Sequence, residues 1–540
     1  MISIALDTLA LGKISQAHGL AKNEMEAMAA SLPEFLKKIK GRGQGFYEVL
    51  DDTKTADSIE VFAKKTSGRY EKIVVLGIGG SALGTKCLQQ ALLPLFETWE
   101  KNAGRRMQGS ALRFAGEMQE GELTPLSLRE WCVVADNIDP SLLRDLDATL
   151  NLEKTLFIVV SKSGDTIETL AQYFYFQKRV QDAGLHEAAH FVFITDADKG
   201  LLREIAAKNP NIQTFEVPKN VGGRFSVLTP VSLVPAALMG LDIQKLLHGA
   251  QMMRDVFLNL DAEKNLCFQL ATLQYLLGQK GKTINVFMPY SSHLIGFTEW
   301  VTQLLAESIG KALNEKGERV NVGLTPLRAV GATDQHAQSQ LFHEGPNDKL
   351  IVFFEIENFG EPLAIPNPYP DHPAVSFLKN ATFDQLLKTE KQGTEQSLIE
   401  CDRPNITIRL NRLDEAALGG LLMLFEGATA FLAEFYGINA FDQPGVERSK
   451  QLMRGGDSLR RMGAKRLGSG VAGVSSLKMR RQKPPPLTIN INSTFLILPH
   501  APHPFPSRRT RPQKHDGVVV LERASSRQTR PCVLLHGLPF

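Results

Sequence analysis

The sequence predicts an α/β fold with two parallel β-sheets flanked by helices, a C-terminal helix and a disordered basic tail. Short buried β-branched runs alternate with amphipathic helical patterns, which is typical of parallel sheets. A long helical stretch, roughly Asp242–Leu277, divides this alternation into two sets. The 540 residues, 43% apolar and 22% charged, match an ordinary folded protein of two or three domains.

The elements follow from the apolar periodicity along the chain. Residues 1 to about 45 are predicted to be helical because Leu, Ile and Met recur at spacings of three and four. A helix is also predicted over Leu83–Leu95. The predicted strands of the first sheet are Ile73–Leu76, Trp131–Ala135, Leu156–Val160 and Phe191–Thr195. Those of the second sheet are Ile284–Met288, Leu350–Glu355 and Ile406–Leu410.

These elements predict a sequence of domains. The predicted domains are an N-terminal helical segment (1–45), a first α/β domain (46–240), a second α/β domain (241–430), a C-terminal helix segment (431–454) and a basic Pro-rich tail (455–540). Two turns rich in small residues lie in the first α/β domain, and the amphipathic helix Glu299–Lys311 lies in the second.

Charge is distributed unevenly along the chain. Residues 451–540 contain 16 Lys and Arg against 3 Asp and Glu, whereas residues 1–450 carry a net charge of −10. An acidic body disfavours nucleic-acid binding by that part of the chain. The tail lacks a periodic apolar pattern, so we expect disorder there. It is either an arm for nucleic acid or an anionic surface, or an appended or misread segment without selected function, which we favour.

Cysteine usage and hydropathy indicate a reducing, non-membrane setting. Five cysteines are scattered without CxxC spacing, so neither a disulfide framework nor a zinc site is expected. Residues Met1–Met25 lack the pattern of a signal peptide. The most apolar windows, near Phe225–Ile243 and Leu421–Ile438, are interrupted by polar residues or proline. We therefore expect a cytoplasmic protein.

A hydroxyl-rich turn follows the predicted strand Leu156–Val160. It combines small hydroxyl residues, a lysine and Gly164 immediately before a helical pattern, where backbone N–H groups and a positive dipole end favour a phosphate dianion. The candidate phosphate ligands are Ser161, Lys162, Ser163 and Thr166. The spacing is not that of a Walker A loop. A helix N-cap formed by Asp165 or Thr166, with spare hydroxyls, is the alternative.

A second small-residue turn, Gly77–Ser81 (GIGGS), also joins a strand to a helix. Its position resembles that of a dinucleotide fingerprint, but no acidic residue that could hold a ribose follows at the required distance. A single phosphate or a sugar hydroxyl therefore suits Gly80 and Ser81 better than NAD.

Two charged residues are candidates for chemistry. Arg224 follows a glycine pair in Asn220–Pro230 and precedes an apolar segment, so it either faces an anion or oxyanion or bonds backbone carbonyls structurally. Glu307 lies in the helix Glu299–Lys311, on one face with Gln303 and Lys311. That face is either solvated, with a Glu307–Lys311 pair, or lines a cleft with Glu307 as a base.

The remaining motifs are individually weak. His336 and His343 lie seven residues apart without a carboxylate or cysteine that would complete a metal site, so metal is not expected, and one histidine is a candidate acid or base. Gln443 lies in a Pro-Gly turn, and Lys450 follows in the next helical pattern.

Taken together and in this order, five segments resemble the glucose-6-phosphate isomerase (phosphoglucose isomerase) family. They are GIGGS, SKSG-T-ET, NVGGRFS-L-P, QHA-Q-H-G and FDQPGVE--K, and they span about Tyr70 to Lys450. The resemblance implies two sugar-isomerase (SIS) domains of the bacterial type. It also implies interconversion of glucose 6-phosphate and fructose 6-phosphate through ring opening and a cis-enediolate, in glycolysis and gluconeogenesis.

The resemblance also implies roles for individual residues. Glu307 is the base that moves a proton between C2 and C1, and Arg224 faces the enediolate. His336 and Lys450 open the hexose ring, with His336 supplied by the neighbouring subunit of a homodimer. The implied substrate-binding residues are Gly80, Ser81, Ser161, Lys162, Ser163, Thr166, Gln303 and Gln443. No metal or organic cofactor is expected.

Two departures from the family pattern stand out. Asp165 occupies a position in the phosphate loop where the family often has a neutral residue, and the tail matches nothing in the family. A non-catalytic sugar-phosphate sensor is disfavoured because Glu307, His336 and Lys450 are all present. A metal-dependent cupin isomerase lacks its His/Glu cluster, and nucleic-acid binding by the tail is the remaining alternative.

Overall fold

Two five-stranded β-sheets carry the fold. The computed structural model describes residues 2–5, 9, 13–95, 131–446 and 452. The strands are β1 (Ile2–Ala5), β2 (Lys72–Leu76), β3 (Cys132–Ala135), β4 (Thr155–Ser161), β5 (Phe191–Thr195), β6 (Gln213–Glu216), β7 (Ile284–Pro289), β8 (Lys311–Leu313), β9 (Arg319–Val322), β10 (Thr325–Arg328), β11 (Lys349–Ile356) and β12 (Asn405–Leu410).

Helices account for most of the remaining described chain. They are α1 (Lys22–Ala29), α2 (Leu32–Gly41), α3 (Thr53–Thr66), α4 (Leu83–Leu92), α5 (Pro140–Ala148), α6 (Ile167–Asp182), α7 (Glu187–His190), α8 (Leu201–Lys208), α9 (Pro230–Leu238), α10 (Ile243–Phe257), α11 (Leu266–Gln279), α12 (Ile295–Ile309), α13 (Ser339–Glu344), α14 (Phe383–Glu400) and α15 (Glu415–Tyr436).

The first sheet has the strand order β3-β2-β4-β5-β6, and every neighbouring pair is parallel. Strand β4 is buried along its whole length, as expected for a central strand covered by helices on both faces. The four predicted strands are present, with ends shifted by at most one residue. Strand β6 was not predicted because its sequence, QTFE, offers a single buried apolar side chain.

The second sheet has the order β1-β12-β11-β7-β10. Strands β12, β11, β7 and β10 run parallel, whereas β1 pairs antiparallel with β12. The helical prediction for residues 1–45 is therefore wrong at Ile2–Ala5, although α1 and α2 lie in the same segment. Four residues are too few to show a period, and their pairing partner lies far along the chain. Strands β8 and β9 form a separate antiparallel pair.

Helix α15 lies at the centre of the second half of the fold. It packs closely on α10, where a Cβ added to Gly249 would lie 1.9 Å from the carbonyl oxygen of Ala416. Of the described helices, α15 alone is long and apolar enough to span a membrane, but 89% of its apolar window is buried inside the protein. The predicted domain boundary between residues 430 and 431 falls inside this helix, so it does not divide the structure there.

The long predicted helical stretch is two helices. Asp242 caps α10 by accepting from the N–H of Lys245, and Asn265 caps α11 by accepting from the N–H of Phe268. The eight residues that separate them, 258–265, contain neither glycine nor proline, which explains why the two helices were predicted as one. Lys450 and the tail from residue 455 lie outside the described residues.

Candidate active site

Arg224 is the most densely contacted charged residue at the site. It lies in a short 3₁₀ turn, Gly223–Phe225, and is 5% exposed. Its Nε donates to Oγ of Ser308 at 2.7 Å, and its Nη1 donates to Oε1 of Gln443 at 2.9 Å. The same Nη1 lies 3.4 Å from Oε2 of Glu307. One corner of the guanidinium therefore faces a carboxylate and an amide.

The other corner of the guanidinium binds backbone. Nη2 of Arg224 donates to the carbonyl oxygens of Ala440 and Asp442, the latter at 2.8 Å. Burial lowers the pKa of Arg224, while the nearby Glu307 and Asp442 act in the opposite direction. Both sequence interpretations of Arg224 thus describe part of its surroundings, and the carbonyls fix the orientation in which it meets Glu307.

Glu307 stands near the end of α12 with its carboxylate held on both oxygens. Nε2 of Gln303, one turn earlier, donates to Oε1 at 3.0 Å, and Arg224 approaches Oε2. The side chain is 32% exposed, so it is reachable from solvent. A half-buried carboxylate oriented by an amide and a guanidinium has the arrangement needed for a fixed general base.

Lys311 does not form the predicted side-chain pair with Glu307. Its Nζ donates instead to the carbonyl oxygens of Glu307 at 2.7 Å and Ser308 at 2.9 Å, and lies 3.6 Å from Oδ1 of Asp442. Burial and the nearby Arg224 lower the pKa of Lys311. The ammonium caps the end of α12, which leaves the Glu307 carboxylate to its contacts with Gln303 and Arg224.

The Gly79–Ser81 turn lies against both the Arg224 turn and α12. A Cβ on Gly80 would stand 2.3 Å from the carbonyl oxygen of Gly223, so no side chain fits there. A Cβ on Gly79, whose φ is +57°, would stand 2.9 Å from Nε2 of Gln303. The glycine turn that follows β2 therefore packs against Gln303, which orients Glu307.

The hydroxyl turn after β4 is organised by its own side chains. Ser161 is buried, and its Oγ lies 2.8 Å from Oγ1 of Thr166. Thr166 occupies the N-cap position of α6 without a side-chain capping bond, and Ser163 is exposed. The predicted capping of α6 by Asp165 or Thr166 side chains is thus not observed.

Lys162 connects this turn to the segment that carries Arg224. Its Nζ donates to the carbonyl oxygens of Val221 and Lys219, the latter at 3.2 Å. Burial lowers the pKa of Lys162. An ammonium has three donors, so these two bonds leave one for a ligand while they fix the spacing between the two segments.

Asp165 is engaged away from the hydroxyl turn. Its Oδ1 accepts from the N–H of Leu201, the first residue of α8, at 2.9 Å. Gly200 makes this approach possible, because a Cβ at Gly200 would stand 2.1 Å from the carbonyl oxygen of Ser163. The negative charge is therefore placed at a helix N-terminus, where it is stabilised.

The two histidines differ in their surroundings. His343 bonds the carbonyl oxygen of Ser339 through Nδ1 at 2.8 Å and Oγ of Ser397 through Nε2 at 2.7 Å, so it holds α13 in place. His336 is exposed, and within the described part of the chain no hydrogen bond joins its ring to Glu307 or Arg224. The described residues also contain no group of three or more potential metal ligands.

The structure thus gathers Arg224, Glu307, Gln303, Gln443 and the Gly79–Ser81 turn into one contact network. The hydroxyl turn is connected to it through Lys162. Ser308, Ala440 and Asp442 were not predicted as contacts of this network, and Lys311 was predicted to pair with the Glu307 side chain and not with carbonyl oxygens. Ser308 could have been considered because it follows Glu307 in the sequence. The carbonyl of Ala440 could not, because every residue has a backbone carbonyl and the sequence does not show which one Arg224 binds.

Comparison with known proteins gives a consistent result. The family model for phosphoglucose isomerase matches residues 49–462. A glucose-6-phosphate isomerase of Carboxydothermus hydrogenoformans is 39% identical over 433 residues, which cover 80% of this chain and 88% of that relative. A glucose-6-phosphate isomerase of Thermus thermophilus is 36% identical over 411 residues, covering 76% and 89% respectively.

Solved structures agree on the fold. A hypothetical protein from Thermus thermophilus superposes with a TM-score of 0.71 at 32% identity, covering 86% of this chain and all of that one. A glucose-6-phosphate isomerase from Chlamydia trachomatis has a TM-score of 0.68 at 20% identity, covering 85% and 94%, which supports the fold alone.

Proposed function

The chain belongs to the phosphoglucose isomerase family and interconverts glucose 6-phosphate and fructose 6-phosphate, and we propose that the cleft that contains Glu307 and Arg224 performs this reaction. One observation carries the proposal: a carboxylate whose oxygens are oriented separately by Gln303 and Arg224. Aldose–ketose isomerisation needs one base that reaches two adjacent carbons, and it needs positive charge beside the enediolate.

Glu307 is the proposed base. It removes the proton from C2 of the open aldose and returns it to C1, so that the carboxylate is regenerated after each turnover. Gln303 and the capped end of α12 hold its position. A base with a fixed position reaches both carbons without reorganising between the two transfers.

Arg224 is the proposed partner of the enediolate. Negative charge develops on the C1 and C2 oxygens as the proton leaves, and Nη1 faces that region beside Gln443. The buried bonds to Ala440 and Asp442 orient the guanidinium before substrate arrives. Charge stabilisation of this kind requires no rearrangement at the moment of reaction.

The phosphate end of the sugar is proposed to bind at the hydroxyl turn. Ser161, Ser163 and Thr166 supply hydroxyls and α6 supplies its N-terminus, with a third donor from Lys162. Gly80 and Ser81 line the path between this turn and Glu307. Binding energy from the unreactive phosphate then positions C1 and C2.

Ring opening is assigned to His336 and Lys450, with His336 coming from the neighbouring subunit of a homodimer. The exposure of His336, and the absence of a described hydrogen bond to the Arg224–Glu307 pair, support a role outside its own chain's cleft. We also propose a cytoplasmic location, hexose 6-phosphate as the substrate and no nucleic-acid partner for the acidic body.

A coupled assay for fructose 6-phosphate formed from glucose 6-phosphate tests the reaction directly. Co-expression of two inactive variants, Glu307→Gln and His336→Gln, tests the shared site. In a mixed dimer both lesions fall in one cleft and the other cleft is intact, so about a quarter of wild-type activity returns in a random mixture.

The control is co-expression of Glu307→Gln with Arg224→Ala. These two residues contact each other within one chain, so each cleft of a mixed dimer keeps one lesion and activity stays lost. If the Glu307→Gln and His336→Gln mixture also stays inactive, while each variant binds sugar phosphate and is dimeric, the cross-subunit assignment of His336 is wrong.

A further inference from the structure

The turn that carries His336 rests on a buried tyrosine. Gly331, five residues earlier, packs so tightly on the ring of Tyr290 that a Cβ would stand 2.5 Å from ring atoms. The N–H of Gly331 also donates to the carbonyl oxygen of Pro289 at 3.0 Å. Tyr290 is 2% exposed, so the ring is a fixed surface for this segment.

Gln335, the residue directly before His336, is bound at both ends of its amide. The hydroxyl of Tyr290 donates to Oε1 of Gln335 at 3.0 Å, and Nε2 of Gln335 donates to Oε2 of Glu390 at 3.0 Å. Burial raises the pKa of Tyr290, so the hydroxyl remains a donor across the neutral range. The amide oxygen can only accept and the amide nitrogen can only donate, so the two bonds together fix the orientation of the Gln335 amide.

Helix α14 holds the same segment at a second point. Glu390 lies in the middle of α14, and Ser397, two turns later, bonds Nε2 of His343 at 2.7 Å. His336 lies between these attachments. Within its own turn, Asp334 accepts from the N–H of Val330 at 2.6 Å.

His336 itself has no such support. Among the described residues no hydrogen bond reaches its exposed ring, so the position of the imidazole depends on the backbone that carries it. That backbone is fixed through the neighbouring Gln335. An acid or base displaced by about 1 Å loses up to about 100-fold in rate.

We propose that Tyr290, Gln335 and Glu390 are positioning residues for His336, and that they set the direction from which it meets the ring oxygen of a hexose phosphate. The inference rests on the proposed ring-opening role of His336. Among the described residues, neither Tyr290 nor Glu390 has a hydrogen bond to Glu307 or Arg224. They act through Gln335, on ring opening and not on the proton transfer between C2 and C1.

Anomer exchange separates the two steps. Glu307→Gln blocks isomerisation, so in that background exchange between the α and β forms of [1-¹³C]glucose 6-phosphate reports ring opening alone, above the rate without enzyme. We expect Tyr290→Phe and Glu390→Met, added singly, to lower the exchange rate about 10- to 100-fold. Glu390→Gln keeps an acceptor for Gln335 and should restore most of the exchange.

Tyr173→Phe is the matched control. Tyr173, like Tyr290, is a buried tyrosine whose hydroxyl donates to a side chain, here the carboxylate of Glu187, but it lies in the core of the first sheet. It should lose comparable stability and leave anomer exchange unchanged. If Tyr290→Phe and Glu390→Met, each added to Glu307→Gln, both exchange anomers at the rate of Glu307→Gln alone, the inference is overturned. A fall in Tyr173→Phe as large as that in Tyr290→Phe would equally overturn it, since destabilisation alone would then explain the effect.

His336→Gln in the Glu307→Gln background tests the ring-opening role of His336 separately from its positioning by Tyr290 and Glu390. If that variant exchanges anomers at the Glu307→Gln rate, the ring-opening role of His336 is wrong. If it blocks exchange while Tyr290→Phe and Glu390→Met do not, His336 keeps its role and only the positioning by Tyr290 and Glu390 fails. Should Tyr290→Phe not fold, Glu390→Met decides, because Glu390 is only half-buried.

Discussion

Nη1 of Arg224 lies 3.4 Å from Oε2 of Glu307, although the two residues are 83 positions apart. The contact joins the turn after the first sheet to a helix of the second half of the fold. An anionic intermediate bound beside this pair would meet the proposed base and a fixed cation together. The predictions below test this arrangement and its supports.

Replacement of Glu307 by Gln should lower turnover by about 100-fold or more, because the amide cannot accept the C2 proton. Binding of glucose 6-phosphate, measured by calorimetry, should persist. Glu299→Gln is the control, since Glu299 lies on the same helix but pairs with Arg328 at 2.9 Å and Lys86 at 3.5 Å. Turnover of Glu307→Gln within about tenfold of wild type would refute the base assignment.

Gly80→Ala should disrupt the cleft without unfolding the sheet behind it. The new Cβ would meet the carbonyl oxygen of Gly223 at 2.3 Å, so the two turns must separate and Arg224 must shift. We expect kcat/KM to fall about 100-fold. Gly41→Ala, where a Cβ meets nothing within 4 Å, should behave as wild type. Equal activity in both variants would show that the turns tolerate separation.

Lys282 should make stability depend on alkaline pH. It is fully buried, and Nζ donates to Oδ1 of Asn347 at 2.6 Å and lies 2.9 Å from Nδ1 of His18. Burial, with Arg403 nearby, lowers the pKa of Lys282 from 10.5 to about 8. Between these two values the unfolded chain binds more protons than the folded chain, so this residue's contribution to the free energy of unfolding rises with pH.

Denaturant unfolding at about pH 7.5 and about pH 9.5 measures this effect. Wild type should gain stability at the higher pH relative to Lys282→Met, which has no amine to titrate. A difference between the two proteins that stays constant, or moves the other way, would show that Lys282 titrates normally in the fold.

Removal of the basic tail after Arg460 should leave kcat and KM unchanged. The family match ends at residue 462, so this truncation keeps nearly all of the matched region, including Lys450. A chain ending at Val446 should lose turnover because it lacks Lys450. Loss of activity in the longer truncation would give the tail a catalytic or structural role that its composition does not indicate.

The central strands were predictable because a buried parallel strand is a short, continuous apolar run, as in β4. The edge strands β1, β6 and β10 were missed because they are only four residues long and are defined by their pairing with a neighbouring strand. Strand β1 has only four residues and β6 offers a single buried apolar side chain, so hydropathy alone cannot identify them.

At the site, the motifs indicated Arg224 and Glu307, whose side chains the structure brings together. Gln303 and Gln443, which bond these two side chains, were also named, but the other supports were not predictable. Lys311 binds carbonyls instead of the Glu307 carboxylate, and Asp165 binds the start of α8. These contacts depend on backbone placed by the whole fold, which residue identity does not encode locally.

The bridge from Lys162 to Val221 has a consequence for which sugars are processed. In the proposed binding mode, a phosphate at the hydroxyl turn would bind the same ammonium that holds the segment carrying Arg224. Binding of the phosphate on C6 would thus be linked to the position of Arg224 beside C1 and C2. A neutral hexose has no negative charge to place beside Lys162, so its binding would not be linked to the position of Arg224. In the proposed binding mode, selection for a charged substrate would therefore arise at a distance from the bonds that change.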